Sequence, residues 1–170
     1  MPRSRIYDRI IKASERNVIA MEENIKSPLN RYTAREYAFA LLFAKAFSPE
    51  EEADSFYALE VENAGIEFGE QADYVHGVFF GVCDRLCEID GKINEYTKGW
   101  AINRLSKTEL ALMRLSVYEM MAVNDVPKRV ALNEAVELAK KYGDEKAPAF
   151  VNGVLNNIAH DLPDRECDLT

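Results

Sequence analysis

Cys83 and Cys87 stand four residues apart, and a thiolate pair at that step could hold a metal ion or cycle through a disulfide. A closed zinc set needs two more Cys or His close by, whereas His76 and His160 are far apart and Cys167 falls in a polar C-terminal stretch. The thiols are therefore expected to be free: Cys83 and Cys87 as small apolar groups in a helical pattern, Cys167 as idle. The acid run Glu50-Glu51-Glu52 could bind a cation, but acids in a first helical turn complement the helix dipole, and that assignment is preferred. Glu88-Ile89-Asp90-Gly91-Lys92-Ile93-Asn94-Glu95 has the acid density of a calcium loop without its alternating oxygen ligands or its terminal Glu spacing. No Gly-x-Ser-x-Gly, Walker, Rossmann glycine or His-Glu-x-x-His pattern occurs. The expectation is no enzyme, no metal and no cofactor.

Net charge is −8 over 170 residues, which would disfavour a polyanionic partner if it were evenly spread. It is not: residues 1–48 hold nine Lys/Arg against five Asp/Glu, 49–100 hold three against thirteen, and 101–170 hold nine against eleven. Since exposed charges are screened beyond about 10 Å, a basic site can operate on an acidic protein. No stretch approaches the roughly 20 apolar residues of a bilayer crossing. Basic Met1-Pro2-Arg3-Ser4-Arg5 is followed by mixed charges, not an apolar signal core, so a cytoplasmic protein without membrane contact is expected.

These groups must be positioned by helices. Thr33 to Glu36, Ser48 to Glu51 and Ser106 to Glu109 each place a hydroxyl three residues before a Glu, the spacing of a capping box. Ala34, Tyr37, Ala38, Leu41 and Leu42 form one helical stripe, and Phe39, Phe43 and Phe47 a second, which predicts a central helix. From Ala72 to Leu86 the pattern recurs, with Gly77 and Gly81 on one face where another helix could approach. After Ser106 the chain is apolar almost all round, predicting a buried hub in which Arg114 and Glu119 must be paired or reach the surface. Val126-Pro127 predicts a break, Asn133 a cap for a helix through Tyr142, and Gly143 a left-handed stop. Pro148 predicts the start of a last helix with core face Val151, Val154, Leu155 and Ile158. The fold class is all-α, about seven or eight helices in two helical sub-bundles.

Several segments also carry a resemblance. Trp100-Ala101-Ile102-Asn103-Arg104-Leu105, Glu109 through Leu115, Val117-Tyr118-Glu119-Met120 and Val126-Pro127 run in the order and spacing of NusB proteins. So do Val130-Ala131-Leu132-Asn133-Glu134-Ala135, Ala139-Lys140-Lys141-Tyr142-Gly143 and Phe150-Val151-Asn152-Gly153-Val154-Leu155. The chain resembles the NusB family over about residues 31–160, the stretch 49–95 matching only in helical pattern. The resemblance implies a transcription antitermination factor that grips boxA-type single-stranded RNA together with the small-subunit ribosomal protein NusE. It further implies association with RNA polymerase and other Nus factors on ribosomal RNA operons. Homodimers also occur in the family. The alternative is a NusB-like scaffold that works through protein contacts with little RNA affinity of its own.

Single-stranded RNA is held by cations along its backbone and by aromatic or guanidinium planes against its bases. The family opens with an arginine-rich run before an Ala-Arg-Glu start; here Ala34-Arg35-Glu36 matches, but only Asn30-Arg31-Tyr32-Thr33 precedes it. That leaves Arg31, Arg35 and Lys45 as phosphate contacts and Tyr32 as a stacking group. A second RNA surface is expected from Lys146 through Asn152, where Phe150 either stacks on a base or packs in the bundle. Phe43, Arg104, Glu109 and Tyr118 match family positions near the protein partner.

The domain reading is an N-terminal helical extension over 1–30, the RNA- and partner-binding domain over 31–162, and a polar tail over 163–170. In the extension, Tyr7, Ile11, Ser14, Val18, Met21 and Ile25 recur at helical steps of four and three. Such a stripe should dock, on its own bundle or on a second copy, with docking in cis favoured because the seam is short.

Overall fold

The computed structural model describes residues 30–64 and 67–169. The expected extension lies, apart from Asn30, outside the described residues. Among those residues there are seven α-helices and no strand: α1 (Arg31–Lys45), α2 (Ala53–Ala64), α3 (Ala72–Asp84), α4 (Leu86–Tyr96), α5 (Lys107–Ala122), α6 (Lys128–Tyr142) and α7 (Ala147–Asp161). The described residues divide into two compact units, one ending at Phe80 and the other beginning at Gly81, at a point within α3.

In the first unit, α1 begins one residue after Asn30, whose Oδ1 accepts from the Thr33 amide at 2.9 Å and the Thr33 hydroxyl at 3.1 Å. Asn is among the best N-caps, so Thr33 falls inside the first turn and the capping box expected there is displaced. Thr33 through Ala44 are all buried, as a central helix requires. Phe39 and Phe43 lie in this core, and Phe56 of α2 stacks on Phe79 of α3 with centroids 5.9 Å apart. Burying each such ring stabilises by about 2–3 kcal/mol. The box expected at Ser48 does not form either. The Lys45 ammonium donates to the carbonyls of Ser48 (2.8 Å) and Pro49 (3.1 Å), closing the end of α1, and α2 starts only at Ala53.

In the second unit the Ser106 box is complete: Ser106 Oγ accepts from the Glu109 amide at 3.1 Å, and the Ser106 amide donates to Glu109 Oε2 at 3.1 Å. The helix it opens, α5, is the hub, burying Leu112, Met113, Leu115, Val117 and Met120 and packing on α4, α6 and α7. The Ser116 hydroxyl donates to the Ala131 carbonyl at 3.0 Å, tying α5 to α6. Gly81 lies where α3 meets the Tyr118 ring: a Cβ there would come 2.1 Å from the ring, so the close approach expected of the glycine pair is made at Gly81, while Gly77 faces open space.

Two helix ends differ from expectation. Helix α6 starts at Lys128, because Pro127 already holds an extended ψ at the break and Asn133 is then well inside the helix. Gly143 is not left-handed, with φ −85°. Its lack of a side chain matters instead, since a Cβ would stand 2.5 Å from Ala147 Cβ and 2.7 Å from the Ala139 carbonyl oxygen. Likewise Cys87 is exposed, because α3 ends at Asp84 and α4 restarts at Leu86, which breaks the helical step from Cys83.

The stretch expected as a polar tail folds onto the second unit. Arg165 donates to the carbonyls of Glu119 (3.0 Å), Val123 (3.0 Å) and Val126 (2.7 Å), adding a second donor to the first two, which already accept from the Val123 and Val126 amides, and so tying the end of α5 to the turn that follows it. Asp168 accepts from the Lys128 amide at 2.6 Å and the Arg165 amide at 2.9 Å, so one carboxylate caps α6 and anchors the clasp. The Lys128 ammonium answers by donating to the Leu162 carbonyl and Asp164.

Candidate functional site

The first unit gathers two of its cations on one aromatic ring. The Arg31 guanidinium lies 4.2 Å from the centroid of Tyr74 and donates from Nε to Gln71 Oε1 at 2.8 Å. Arg35 approaches the same ring at 6.0 Å but is only 3% exposed, so Arg31 is the arginine this helix start presents to solvent. Tyr32 between them is 42% exposed. Lys45, expected on a phosphate, caps the far end of α1 and lies 5.9 Å from the Phe56 ring. Gln71 and Tyr74 were not legible as site residues. Their only sequence signal is one helical step between them, and what gives them a role is the turn at Gly69–Gln71 that carries them to Arg31.

In the second unit Lys146 and Asn152 are exposed at the start of α7, where Asp144 Oδ1 takes the amides of Lys146 and Ala147, both at 2.9 Å. Phe150, between them, is half-buried. It lines a groove of about 310 Å3 with Tyr96, Lys98, Trp100, Val154 and Asn157. The Tyr96 hydroxyl donates to Asp161, and that bond holds its pKa above the ordinary value.

Of the expected partner residues, Phe43 is 2% exposed in the first unit's core, its ring 5.1 Å from that of the exposed Phe47. The other three belong to the second unit. Arg104 is exposed on the short turn Ile102–Arg104, Glu109 is engaged with Ser106, and Tyr118 is half-buried against Gly81. Among the described residues no group of three or more His, Cys, Asp or Glu could hold a metal ion, and no helix is long and apolar enough to cross a membrane.

Fold and surfaces together define an all-helical protein of two units that offers arginine, lysine and aromatic side chains at helix starts and turns. The NusB family model matches residues 32–160. The transcription antitermination protein NusB of Levilactobacillus brevis is 39% identical over 137 residues, covering 80% of this chain and 94% of that protein. That of Listeria monocytogenes is 43% identical over 131 residues, covering 77% and 97%. Among solved structures, T. maritima NusB superposes with a TM-score of 0.76 at 28% identity, covering 85% of this chain and all of that one. A crystal structure of the antitermination factors NusB and NusE in complex with double-stranded RNA contains a chain matching at TM-score 0.69 and 29% identity, over 79% of this chain and all of that one. The chain belongs to the NusB family of transcription antitermination factors.

Proposed function

We propose that this chain binds boxA-type single-stranded RNA jointly with the ribosomal protein NusE and joins the elongating RNA polymerase with other Nus factors. In that role it supports ribosomal RNA operon transcription in the cytoplasm and catalyses no reaction. The observation that carries the reading is the start of α1, where Arg31, held by Gln71 and Tyr74, stands beside the exposed ring of Tyr32. A fixed guanidinium and an exposed tyrosine at one helix start suit a phosphate and its neighbouring base. Arg35 adds positive potential behind it, Lys45 at the far end of α1 can serve only a phosphate further along the strand, and Lys146, Phe150 and Asn152 form the second RNA surface. Arg104, Glu109 and Tyr118 face the protein partner, with Phe43 shaping α1 from inside its core.

The scaffold alternative is favoured by one observation: Arg35 is buried, so the start of α1 presents fewer phosphate contacts than the family's arginine run would. Transcription in vitro decides between them. With NusE and the other Nus factors present, adding this protein should raise read-through of a terminator on a template carrying boxA and leave a template with scrambled boxA unchanged. Equal read-through on both would leave only the scaffold.

A further inference from the structure

The sequence between α4 and α5 carries Trp100, the single tryptophan of the chain, and the proposed function gives it no role so far. It is 59% exposed, where an indole is normally at least half-covered by its own fold. The loop that presents it is built, not slack. The Trp100 amide donates to the Thr97 carbonyl at 3.1 Å across a turn whose two central residues are both left-handed, Lys98 at φ +45° and Gly99 at φ +86°. That is the pattern of a type I′ turn. Thr97 is buried, and its hydroxyl lies 3.1 Å from the Asn94 carbonyl and 2.9 Å from the Trp100 carbonyl, fixing both sides of the turn. Glycine adopts such a φ freely, but lysine does so at a cost of about 1–2 kcal/mol. Strain of this kind persists where the surroundings impose it and clusters at binding sites.

Phe150 and Tyr96 line the same groove and supply two further rings, the second held by its hydroxyl bond to Asp161. Asn157 adds an amide that can both donate and accept, and Lys98 adds an ammonium. The space, about 310 Å3, is at the small end of ligand sites, which run from roughly 300 to 1,000 Å3. Three π faces, one amide and one cation match an unstacked nucleobase with its phosphate: stacking on the rings, a base edge on the amide, charge on the lysine. An apolar peptide side chain would need neither the amide nor the ammonium.

We infer that the Thr97–Trp100 turn is a base platform, in which Trp100 and Phe150 take an unpaired base of the RNA and Lys98 takes its phosphate. The inference rests on the RNA-binding reading and extends it to residues outside the start of α1. Because Trp100 is the only tryptophan of this chain, the emission it adds over a Trp100→Phe sample reports on this groove. With NusE present, titrating an unlabelled boxA-type RNA oligonucleotide should quench that emission along the same curve that fluorescence anisotropy gives for the labelled RNA. Trp100→Ala should weaken RNA binding about tenfold, the size of one lost base stack, and Trp100→Phe should restore most of it. Thermal midpoints should be unchanged, since the ring is mostly in solvent. If RNA binds tightly while emission stays constant and Trp100→Ala binds as well as wild type, the platform is overturned and the RNA reading stands. If Trp100→Ala instead weakens NusE binding without RNA and spares RNA affinity, the groove is a protein-docking surface and the inference is overturned. If the wild-type protein with NusE binds no RNA, both fall.

Discussion

Arg114 of α5 meets Asp90 of α4 fork to fork, Nε on Oδ1 and Nη2 on Oδ2, each at 2.7 Å. With side chains only 17% and 24% exposed, the pair sits where an apolar hub helix would otherwise carry a stranded charge. Arg114→Ala leaves Asp90 without its fork and should cost about 2 kcal/mol. Arg114→Lys should recover less than half, because an ammonium cannot meet both oxygens in one plane. Urea unfolding checks this as a lower midpoint at unchanged m-value.

The C-terminal clasp predicts a pH dependence with a definite sign. Burial raises the pKa of Asp168, but the Lys128 and Arg165 amides and the Arg165 guanidinium outweigh it and hold the group below its ordinary value. A depressed carboxylate contributes stability above its unfolded pKa, near 3.9, and loses it as pH falls through the folded value. Asp168→Asn should therefore lower stability by about 1 kcal/mol at pH 7, and the gap to wild type should close below about pH 4. A gap that is constant with pH would contradict the clasp. Thermal melts between pH 7 and 3 measure it.

Gly81 and Tyr118 make a packing prediction. Alanine gains about 1 kcal/mol over glycine in a helix, yet a Cβ at Gly81 would lie 2.1 Å from the Tyr118 ring. Gly81→Ala should thus destabilise by about 1–2 kcal/mol instead of stabilising. In a double-mutant cycle Tyr118→Ala should remove that cost.

Lys98→Gly should relieve the left-handed strain at the turn and raise stability by roughly 0.5 kcal/mol, after the extra freedom glycine has when unfolded. A loss of stability of that size would show that Lys98 makes compensating contacts. Chemical denaturation resolves the sign.

Much of the fold was legible because apolar periodicity is a property of the chain itself. The α5 hub, the Val151 to Ile158 face and the Ser106 box follow from spacing alone. Helix ends were less legible, since competing caps decide them: Asn30 displaced Thr33, Pro127 preceded Asn133, and Gly143 answers a neighbouring helix, not a backbone angle. Site residues divided the same way. Arg31 and Tyr32 were visible as types in one short run, whereas Tyr74 meets Arg31 across 43 residues of sequence and only folding shows the pair. Arg35 shows the converse, a cation of the right type and spacing that the packing of α1 turns inward. The left-handed turn at Lys98 and Gly99 and the exposure of Trp100 were not read from the sequence and emerge only from the fold.

Joint recognition of single-stranded RNA by this chain and NusE is what the proposed function requires. The most direct measurement is the affinity of a labelled boxA-type strand, with and without NusE, across a salt series and against a scrambled strand. Binding should be weak for the protein alone, much tighter with NusE, selective for the boxA-type strand, and weakened by salt. Arg31→Ala should lower the salt slope by about 0.7, one phosphate contact on a single strand. Equal binding of the scrambled strand, or an affinity that neither NusE nor salt changes, would contradict the claim.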